Sequence, residues 1–292
     1  VTVADWHITG DLDQFLTHAG EFLRSRPALH TIHLTVTTAL SSRGLGVYGE
    51  GDPVFGALER DGEVRAAFFR TPPGRLMLTP LTAEEATELA AQLALRGDEL
   101  PGVMAERATA STFAEAWAGR TGSIPELHGR QRLYRLGELT TLEPSPPGRP
   151  RAATAKDREQ LMRWYVEFHE AIGESATSQD PGEWADSRIA YGGITLWETP
   201  DGTPVSMAGI TPKVAGQVRV APVYTPADLR GRGYAGAVTA EVSSMARAVG
   251  AEEVLLFTDL ANPTSNALYQ RIGYRPVEDF AGYDFRSDPA PR

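Results

Sequence analysis

The segment Glu143–Arg151, Glu-Pro-Ser-Pro-Pro-Gly-Arg-Pro-Arg, lies at the middle of this 292-residue chain and constrains it more than any other stretch. Proline fixes φ and has no amide hydrogen, so the run sustains neither a helix nor a central strand. It reads as a linker between residues 1–142 and 152–292. Each piece is long enough to bury a core of its own, so two domains are expected.

The second piece has the clearer pattern. Arg151–Ala153 is a short strand, and Thr154 with Asp157 forms a capping pair that opens a helix. That helix carries Leu161, Trp164, Tyr165, Phe168 and Ile172 on one face. A second helix follows at Glu183–Ala190. Ile194–Trp197 and Val205–Ile210 flank Asp201-Gly202, a hairpin signal, and Gln217–Tyr224 is the next strand. A glycine loop then leads into a helix whose apolar positions are Val238, Val242, Met245 and Val249, ended by Gly250. Val254–Phe257 is a strand of buried type. Asn262-Pro263 starts another helix, cap then first-turn proline, which stops at Gly273. Pro276–Phe285 closes the chain as strand.

The first piece follows a similar order. Asp11–Arg24 is a helix, and Val54–Leu58 and Val64–Phe69 form a hairpin about Asp61-Gly62. Arg75–Leu78 is a strand, Ala83–Leu95 a helix, Val103–Ala105 a strand, Phe113–Gly119 a helix and Arg132–Leu136 a strand. The parallel between the two pieces points to an internal duplication with diverged sequence; the alternative is coincidence, because mixed domains often alternate this way.

Bulk properties exclude several function classes. The chain has no cysteine, so it has no disulfide framework, no thiolate zinc site and no cysteine nucleophile. Its net charge of −10, without a basic tract, makes it a poor nucleic-acid binder; such an acidic surface can favour a cationic substrate or serve only solubility. No apolar run reaches the roughly 18–20 residues of a membrane span. Val1–Gly10 lacks the shape of a signal peptide, and a cytoplasmic location is expected. The histidines are scattered. His30 and His33 are close, but without a carboxylate nearby His33 reads as an ordinary strand or loop residue, and no metal is expected.

The loop after Gln217–Tyr224 concentrates the chemistry. It reads Val223-Tyr-Thr-Pro-Ala-Asp-Leu-Arg230-Gly-Arg-Gly233-Tyr-Ala-Gly236. The first amides of a helix lack internal partners, and the helix dipole favours an anion beside them. Glycines let the backbone approach a diphosphate, and Arg230 and Arg232 add positive charge. Gly231, Gly233 and Gly236 also fit the dinucleotide spacing G-x-G-x-x-G. That fold, however, places its loop after the first strand and needs several strand–helix repeats afterwards. Here one strand–helix pair and a terminal strand follow. A glycine-rich turn without a ligand is the bland alternative.

At this point the chain resembles the GNAT superfamily of N-acetyltransferases. The family's loop pattern is Gln/Arg-x-x-Gly-x-Gly/Ala after an apolar strand, and Arg230-Gly231-Arg232-Gly233-Tyr234-Ala235 matches its defined positions. Asn262, Tyr269 and Gly273-Tyr274 look like the family's later Asn, Tyr and closing Gly-aromatic. The resemblance covers Arg151–Phe285. In the first piece, Arg75–Leu78 is followed by Thr-Pro-Leu-Thr-Ala-Glu-Glu, without a glycine loop, and Arg43-Gly44-Leu45-Gly46 has no helix after it. The resemblance therefore implies an α/β (α+β) protein of two tandem GNAT-like domains. Each would be a mixed, mostly antiparallel central sheet flanked by helices, with the N-terminal domain a degenerate copy.

The family's chemistry carries over residue by residue. Acetyl-CoA would be the cosubstrate, with its pantetheine arm between Gln217–Tyr224 and Val254–Phe257, beside the backbone of Val223 and Tyr224. The amides of Arg230, Gly231, Arg232, Gly233, Tyr234 and Ala235 would hold the pyrophosphate. An amine of a small molecule or peptide would attack the thioester directly, which agrees with the absence of cysteine. Tyr269 is the candidate general acid for the leaving thiolate. On its helix, Asn262, Ser265 and Tyr269 share a face, a polar stripe suited to a cofactor groove, while Leu268 and Ile272 suit the core. Asn262 is also an ordinary helix cap. Glu167, His169, Glu170, Glu174 and Glu198 are open choices for a general base, with water as another. Trp164, Trp184 and Tyr191 are candidates for walls of the acceptor pocket or for plain core aromatics. A non-catalytic acyl-CoA or small-molecule binding protein of the same fold is the alternative function.

Overall fold

The computed structural model describes residues 5–173 and 179–287. The first part of the chain runs β1 (Asp5–Thr9), α1 (Leu12–Ser25), α2 (Thr31–Arg43), β2 (Val54–Arg60), β3 (Glu63–Arg70), β4 (Leu76–Leu78), α3 (Ala83–Leu95), β5 (Gly102–Glu106), α4 (Arg107–Thr121) and β6 (Ile124–Leu136). The second runs β7 (Arg149–Ala152), α5 (Arg158–Ala171), α6 (Pro181–Ala190), β8 (Ile194–Glu198), β9 (Pro204–Ile210), β10 (Gln217–Tyr224), α7 (Tyr234–Ala248), β11 (Glu253–Asp259), α8 (Pro263–Ile272) and β12 (Tyr274–Arg286). Short 3-10 turns aside, the order of strands and helices is the same in both, as expected of a tandem mixed α/β protein.

The chain forms two compact units. The first holds the described residues up to Arg132, Asp259–Ala261 and those from Glu278 on; the second holds Leu133–Thr258 and Asn262–Val277. This divide precedes the 143–151 segment, because the end of β6 carries Tyr134 and Leu136 into the second unit's core. Part of the proline-rich segment is also ordered as strand. β7 begins at Arg149, and Pro150 is tolerated because β7 is an edge strand that pairs only with β8.

In the first unit the strand order is β1-β2-β3-β4-β5-β12. All neighbours are antiparallel except β4 and β5. Its core gathers Trp6, Phe68, Leu76 and Leu78 from the sheet with Leu89, Leu93, Phe113 and Trp117 from α3 and α4. In the second unit the order is β6-β11-β10-β9-β8-β7. The strands β7 to β10 form an antiparallel meander, and β10 pairs with β11 in parallel. One core cluster joins Val218, Val220, Val254 and Leu256 of the sheet to Val238 and Val242 of α7 and Tyr269 and Ile272 of α8. A second joins Leu161, Trp164 and Tyr165 of α5 to Trp184 of α6 and to Ile194, Leu196 and Met207.

Several local expectations need correction. β1 and α2 lie in stretches where the sequence pattern predicts no element. His33 is in α2, not in a strand or loop, and it is buried with Nε2 against the Met77 carbonyl. Burial pushes its pKa down to about 3. The helix is hard to see because its threonines are β-branched and poor helix formers. Their hydroxyls are turned back onto carbonyls one turn earlier, Thr35 to Thr31 at 2.8 Å and Thr37 to His33 at 2.7 Å. On α7 the buried face is Gly236, Val238, Thr239, Val242, Ser243 and Ala246, whereas Met245 and Val249 are exposed. Val238 and Val242 pack as expected, but small residues rather than Met245 and Val249 complete the face. Ile172 likewise lies exposed beyond the end of α5.

Candidate functional site

The site forms where the second unit's sheet opens. β10 carries an extra residue relative to β9, since Val220 faces Ile210 but Val223 faces Ala208, and the bulge falls at Ala221-Pro222. The parallel ladder to β11 covers only Gln217–Arg219 against Glu253–Leu255. Beyond it both strands run on, β10 as far as Tyr224. Val223, half-buried, and Tyr224, buried, therefore stand where the two strands have ceased to pair.

The loop that follows is tied down at its start. Thr225 is buried with its hydroxyl 2.8 Å from Ser206 Oγ, and Arg230 Nε donates to the Thr225 carbonyl at 3.0 Å. Arg232 Nη2 donates to the Asp228 carbonyl at 3.0 Å. Gly231 and Gly233 have φ of +76° and +87°, a backbone region in which an L side chain is strained. They turn the chain so that α7 begins at Tyr234 with Gly233 as its cap. No side chain caps this helix and no acid lies in its first turn. Among the described residues, none of the amides from Gly231 to Gly236 donates a hydrogen bond within the protein; Ala237, bonded to the Gly233 carbonyl at 3.0 Å, is the first that does. A row of unpartnered amides, exposed glycines and two arginines fits a diphosphate. The sequence-predicted set Arg230, Gly231, Arg232, Gly233, Tyr234 and Ala235 is thus gathered at one helix start. The Tyr234 side chain itself is buried in the core, so this residue can offer a ligand only its backbone.

Gly236 serves packing instead. A Cβ there would lie 2.8 Å from Leu142 Cδ1 and 3.0 Å from Leu268 Cδ1. The third glycine of the apparent dinucleotide spacing lets α7 approach α8 and the Leu142 segment.

α8 presents the remaining predicted residues. Asn262 caps it, Oδ1 accepting from the Ser265 amide at 3.0 Å. Ser265 is half-buried one turn on. Tyr269 is buried at 8% exposure, and burial alone pushes its phenol up to about 12, with no hydrogen bond or charge contributing. Its ring meets that of Tyr274 edge-on at 6.1 Å. Tyr274, by contrast, has a hydroxyl partner, Ser243 Oγ at 2.7 Å. Of the two phenols, Tyr269 is the one without a competing hydrogen bond.

The open candidates for a base separate clearly. Glu198 is buried between Arg149 and Arg151, and Arg151 also holds Asp157, so it is part of a structural ion-pair network. His169 packs against the rings of Tyr165 and Phe168. Glu170 is exposed on α5, and Glu174 lies outside the described residues. Glu167 accepts a hydrogen bond from the Tyr224 hydroxyl at 2.8 Å, which joins α5 to the end of β10. Burial and this carboxylate together raise the Tyr224 pKa to about 12. The Glu167–Tyr224 pairing spans 57 positions, and no local spacing in the sequence announces it. Trp164 and Trp184 are core aromatics, whereas Tyr191 is exposed and bonded to the Ile210 carbonyl.

With this geometry in place, comparison with known proteins is decisive. The sequence model of the acetyltransferase (GNAT) family matches residues 158–274, the stretch that holds the opened strands, the loop, α7 and α8. Residues 158–274 of the chain belong to the GNAT family. Solved GNAT structures share the fold across both parts of the chain. A tandem GNAT protein from the clavulanic acid biosynthesis pathway has a TM-score of 0.56 at 10% identity, covering 98% of this chain and 100% of its own. A GCN5-related N-acetyltransferase from Sphaerobacter thermophilus has a TM-score of 0.59 at 18% identity, covering 97% and 95%. A GNAT-family acetyltransferase from Colwellia psychrerythraea has 0.58 at 12% identity, covering 97% and 100%. No curated protein matches the sequence. Among the described residues, no helix is long and apolar enough to cross a membrane.

Proposed function

We propose that the second unit is an acyl-CoA-dependent N-acyltransferase acting on an amine of a small molecule or peptide. The observation that carries this reading is the start of α7, where the amides of Gly231–Gly236 have no partner among the described residues and two glycines hold the left-handed turn. Acetyl-CoA, bound there, would supply an activated acyl thioester. The amides of Arg230–Ala235 would hold its diphosphate, the backbone of Val223 and Tyr224 its pantetheine arm, and Asn262 and Ser265 the adjoining groove.

The protein's own part in the chemistry is proton handling and orientation. Tyr269 keeps its phenol protonated far above neutral pH and donates that proton to the departing sulfur. Glu167, fixed by the Tyr224 hydroxyl, takes the proton from the acceptor ammonium. The acidic balance of the chain favours a cationic acceptor.

Calorimetry with acetyl-CoA, followed by a thiol-release assay across a panel of amines, tests the proposal. Binding followed by amine-dependent thiol release supports it. Tight binding without transfer to any amine would support the non-catalytic acyl-CoA-binding reading instead. Binding of NAD(P) in place of acetyl-CoA would overturn both.

A further inference from the structure

The first unit lacks the phosphate loop, but it brings together three side chains that the acyltransfer reading does not use. β1 and β2 pair antiparallel with His7 opposite Ala57, so His7 and Glu59 lie diagonally on one face. α1 covers that face, anchored by the stack of Phe15 on Phe55 at 5.1 Å. His18, one turn beyond Phe15, reaches the same spot. His18 Nε2 lies 3.2 Å from Glu59 Oε2, and His7 Nε2 lies 3.9 Å from the same oxygen. The two imidazoles meet edge-on at 5.0 Å, and the ligand atoms of all three residues lie within 4.8 Å of one another.

His18 Nε2 adds an independent observation. It is shut off from solvent, yet it makes no aligned hydrogen bond, even to the carboxylate beside it. An imidazole nitrogen held beside a carboxylate but out of line for donating to it leaves that nitrogen to a cation that both atoms could share. Zinc takes imidazole nitrogen and carboxylate oxygen at about 2.0–2.2 Å, which places tetrahedral ligand atoms roughly 3.3 Å apart. The His18–Glu59 separation of 3.2 Å already fits, and a rotation of the half-exposed His7 would bring its nitrogen closer to the other two ligand atoms, all of which lie within 4.8 Å of one another.

We propose that His7, His18 and Glu59 form a binding site for one zinc-type divalent ion, with a fourth position open to water on the exposed side. Imidazole and carboxylate donors without sulfur suit zinc, and cobalt(II) as its spectroscopic substitute. The donors come from β1, α1 and β2, elements that converge only on folding. The ion would therefore bind the folded unit and pin the edge strand β1 to α1.

The test uses the full chain, stripped with a chelator and titrated with zinc chloride by calorimetry and with cobalt(II) by visible absorption. One equivalent of tightly bound zinc, a cobalt spectrum and a zinc-dependent rise in melting temperature are expected. Glu59→Gln, which preserves shape, and His7→Gln, at a half-exposed position, should each lose the stoichiometric ion and the melting shift. His128→Ala, whose imidazole pairs with Asp284 instead, should retain both. His18→Ala should behave as Glu59→Gln, with circular dichroism reporting whether it folds. Absence of stoichiometric binding, or binding that survives Glu59→Gln and His7→Gln, would overturn the site and leave an ordinary His18–Glu59 ion pair. Acetyl-CoA affinity does not enter this measurement, so it stands or falls separately from the acyltransferase reading.

Discussion

The two halves of this chain reach the same point in their fold, a strand leading into a helix beside a parallel pair, and treat it oppositely. After β4, the amides of Thr79, Leu81, Thr82 and Glu85 are consumed within the protein. Thr79 donates to the Ala67 carbonyl, Leu81 to Thr109 Oγ1 at 2.9 Å, Thr82 to Glu85 Oε2 at 2.9 Å, and Glu85 back to Thr82 Oγ1 at 3.2 Å. Thr82 and Glu85 form a full capping box, and Glu84 adds a second carboxylate to the first turn. After β10, the amides from Gly231 to Gly236 have no such partners and the first turn of α7 has no acid. A self-capped helix start with carboxylates repels an anion; an uncapped one with arginines attracts it. One architecture thus yields a self-capped helix start in one half and an uncapped one in the other, and the difference lies in a few residues of one loop.

The strongest way to break the comparison is to make the second loop resemble the first. Gly233→Asp places a carboxylate and a strained left-handed residue at the cap of α7. Space is not the obstacle, because a Cβ there meets only Pro146 at an ordinary 3.7 Å. The loss should come from charge and from amides turned away. Two charge-assisted bonds at about 1.5–3 kcal/mol each imply an acetyl-CoA affinity lower by about a hundredfold to ten-thousandfold. Calorimetry on the variant, with circular dichroism confirming that it is folded, would show it. Near-native affinity would mean that the loop does not hold the diphosphate.

Next in size is Tyr269→Phe, which separates binding from chemistry. Turnover should fall by roughly a hundredfold, the low end for a lost general acid, with acetyl-CoA affinity little changed. The pH profile sharpens this. A phenol raised to about 12 is in its acid form below that value, so the tyrosine itself causes no alkaline loss of rate up to pH 10. A wild-type alkaline limb below pH 10 that disappears in the phenylalanine variant would contradict the assigned protonation state.

A smaller effect tests the division of labour among the glycines. Gly236→Val drives a side chain into Leu142 and Leu268, and overpacking of this kind costs about 1–3 kcal/mol. The melting temperature should drop, while acetyl-CoA affinity in the folded fraction stays within a fewfold of wild type. A large loss of affinity at unchanged stability would return Gly236 to the binding site.

The glycines also show how far the sequence could be read. Gly231 and Gly233 sit in a loop whose strand and helix are both local, so the loop, its turn and its unpartnered amides follow from adjacent residues. The strands Gln217–Tyr224 and Val205–Ile210 and the caps Thr154–Asp157 and Asn262 were legible for the same reason. What escaped depends on distant partners. Leu142 and Leu268 decide the role of Gly236, Glu167 meets Tyr224 from another helix, and His7, His18 and Glu59 converge only when three elements pack. The exposure of Met245 and Val249 escaped because α7 buries its small residues, which hydrophobic periodicity weights too little. Likewise β1 and the threonine-rich α2 are held by tertiary contacts that local propensity opposes.

The smallest predicted effect bears most directly on the contrast. Thr82→Ala removes the capping side chain of α3 and leaves the Glu85 amide without it. Loss of such a cap costs about 1 kcal/mol, so the melting temperature should fall modestly. The change also frees an amide at a helix start, superficially what α7 offers. It should nevertheless create no acetyl-CoA binding. Glu84 and Glu85 still place negative charge in the first turn, Thr109 still occupies the Leu81 amide, and no glycine bends the chain away. A new acetyl-CoA site in Thr82→Ala, with Gly233→Asp also present to silence the native one, would show that an uncapped helix alone suffices. Absence of binding would place the distinction in the whole loop, where glycine geometry, arginine charge and missing acids act together.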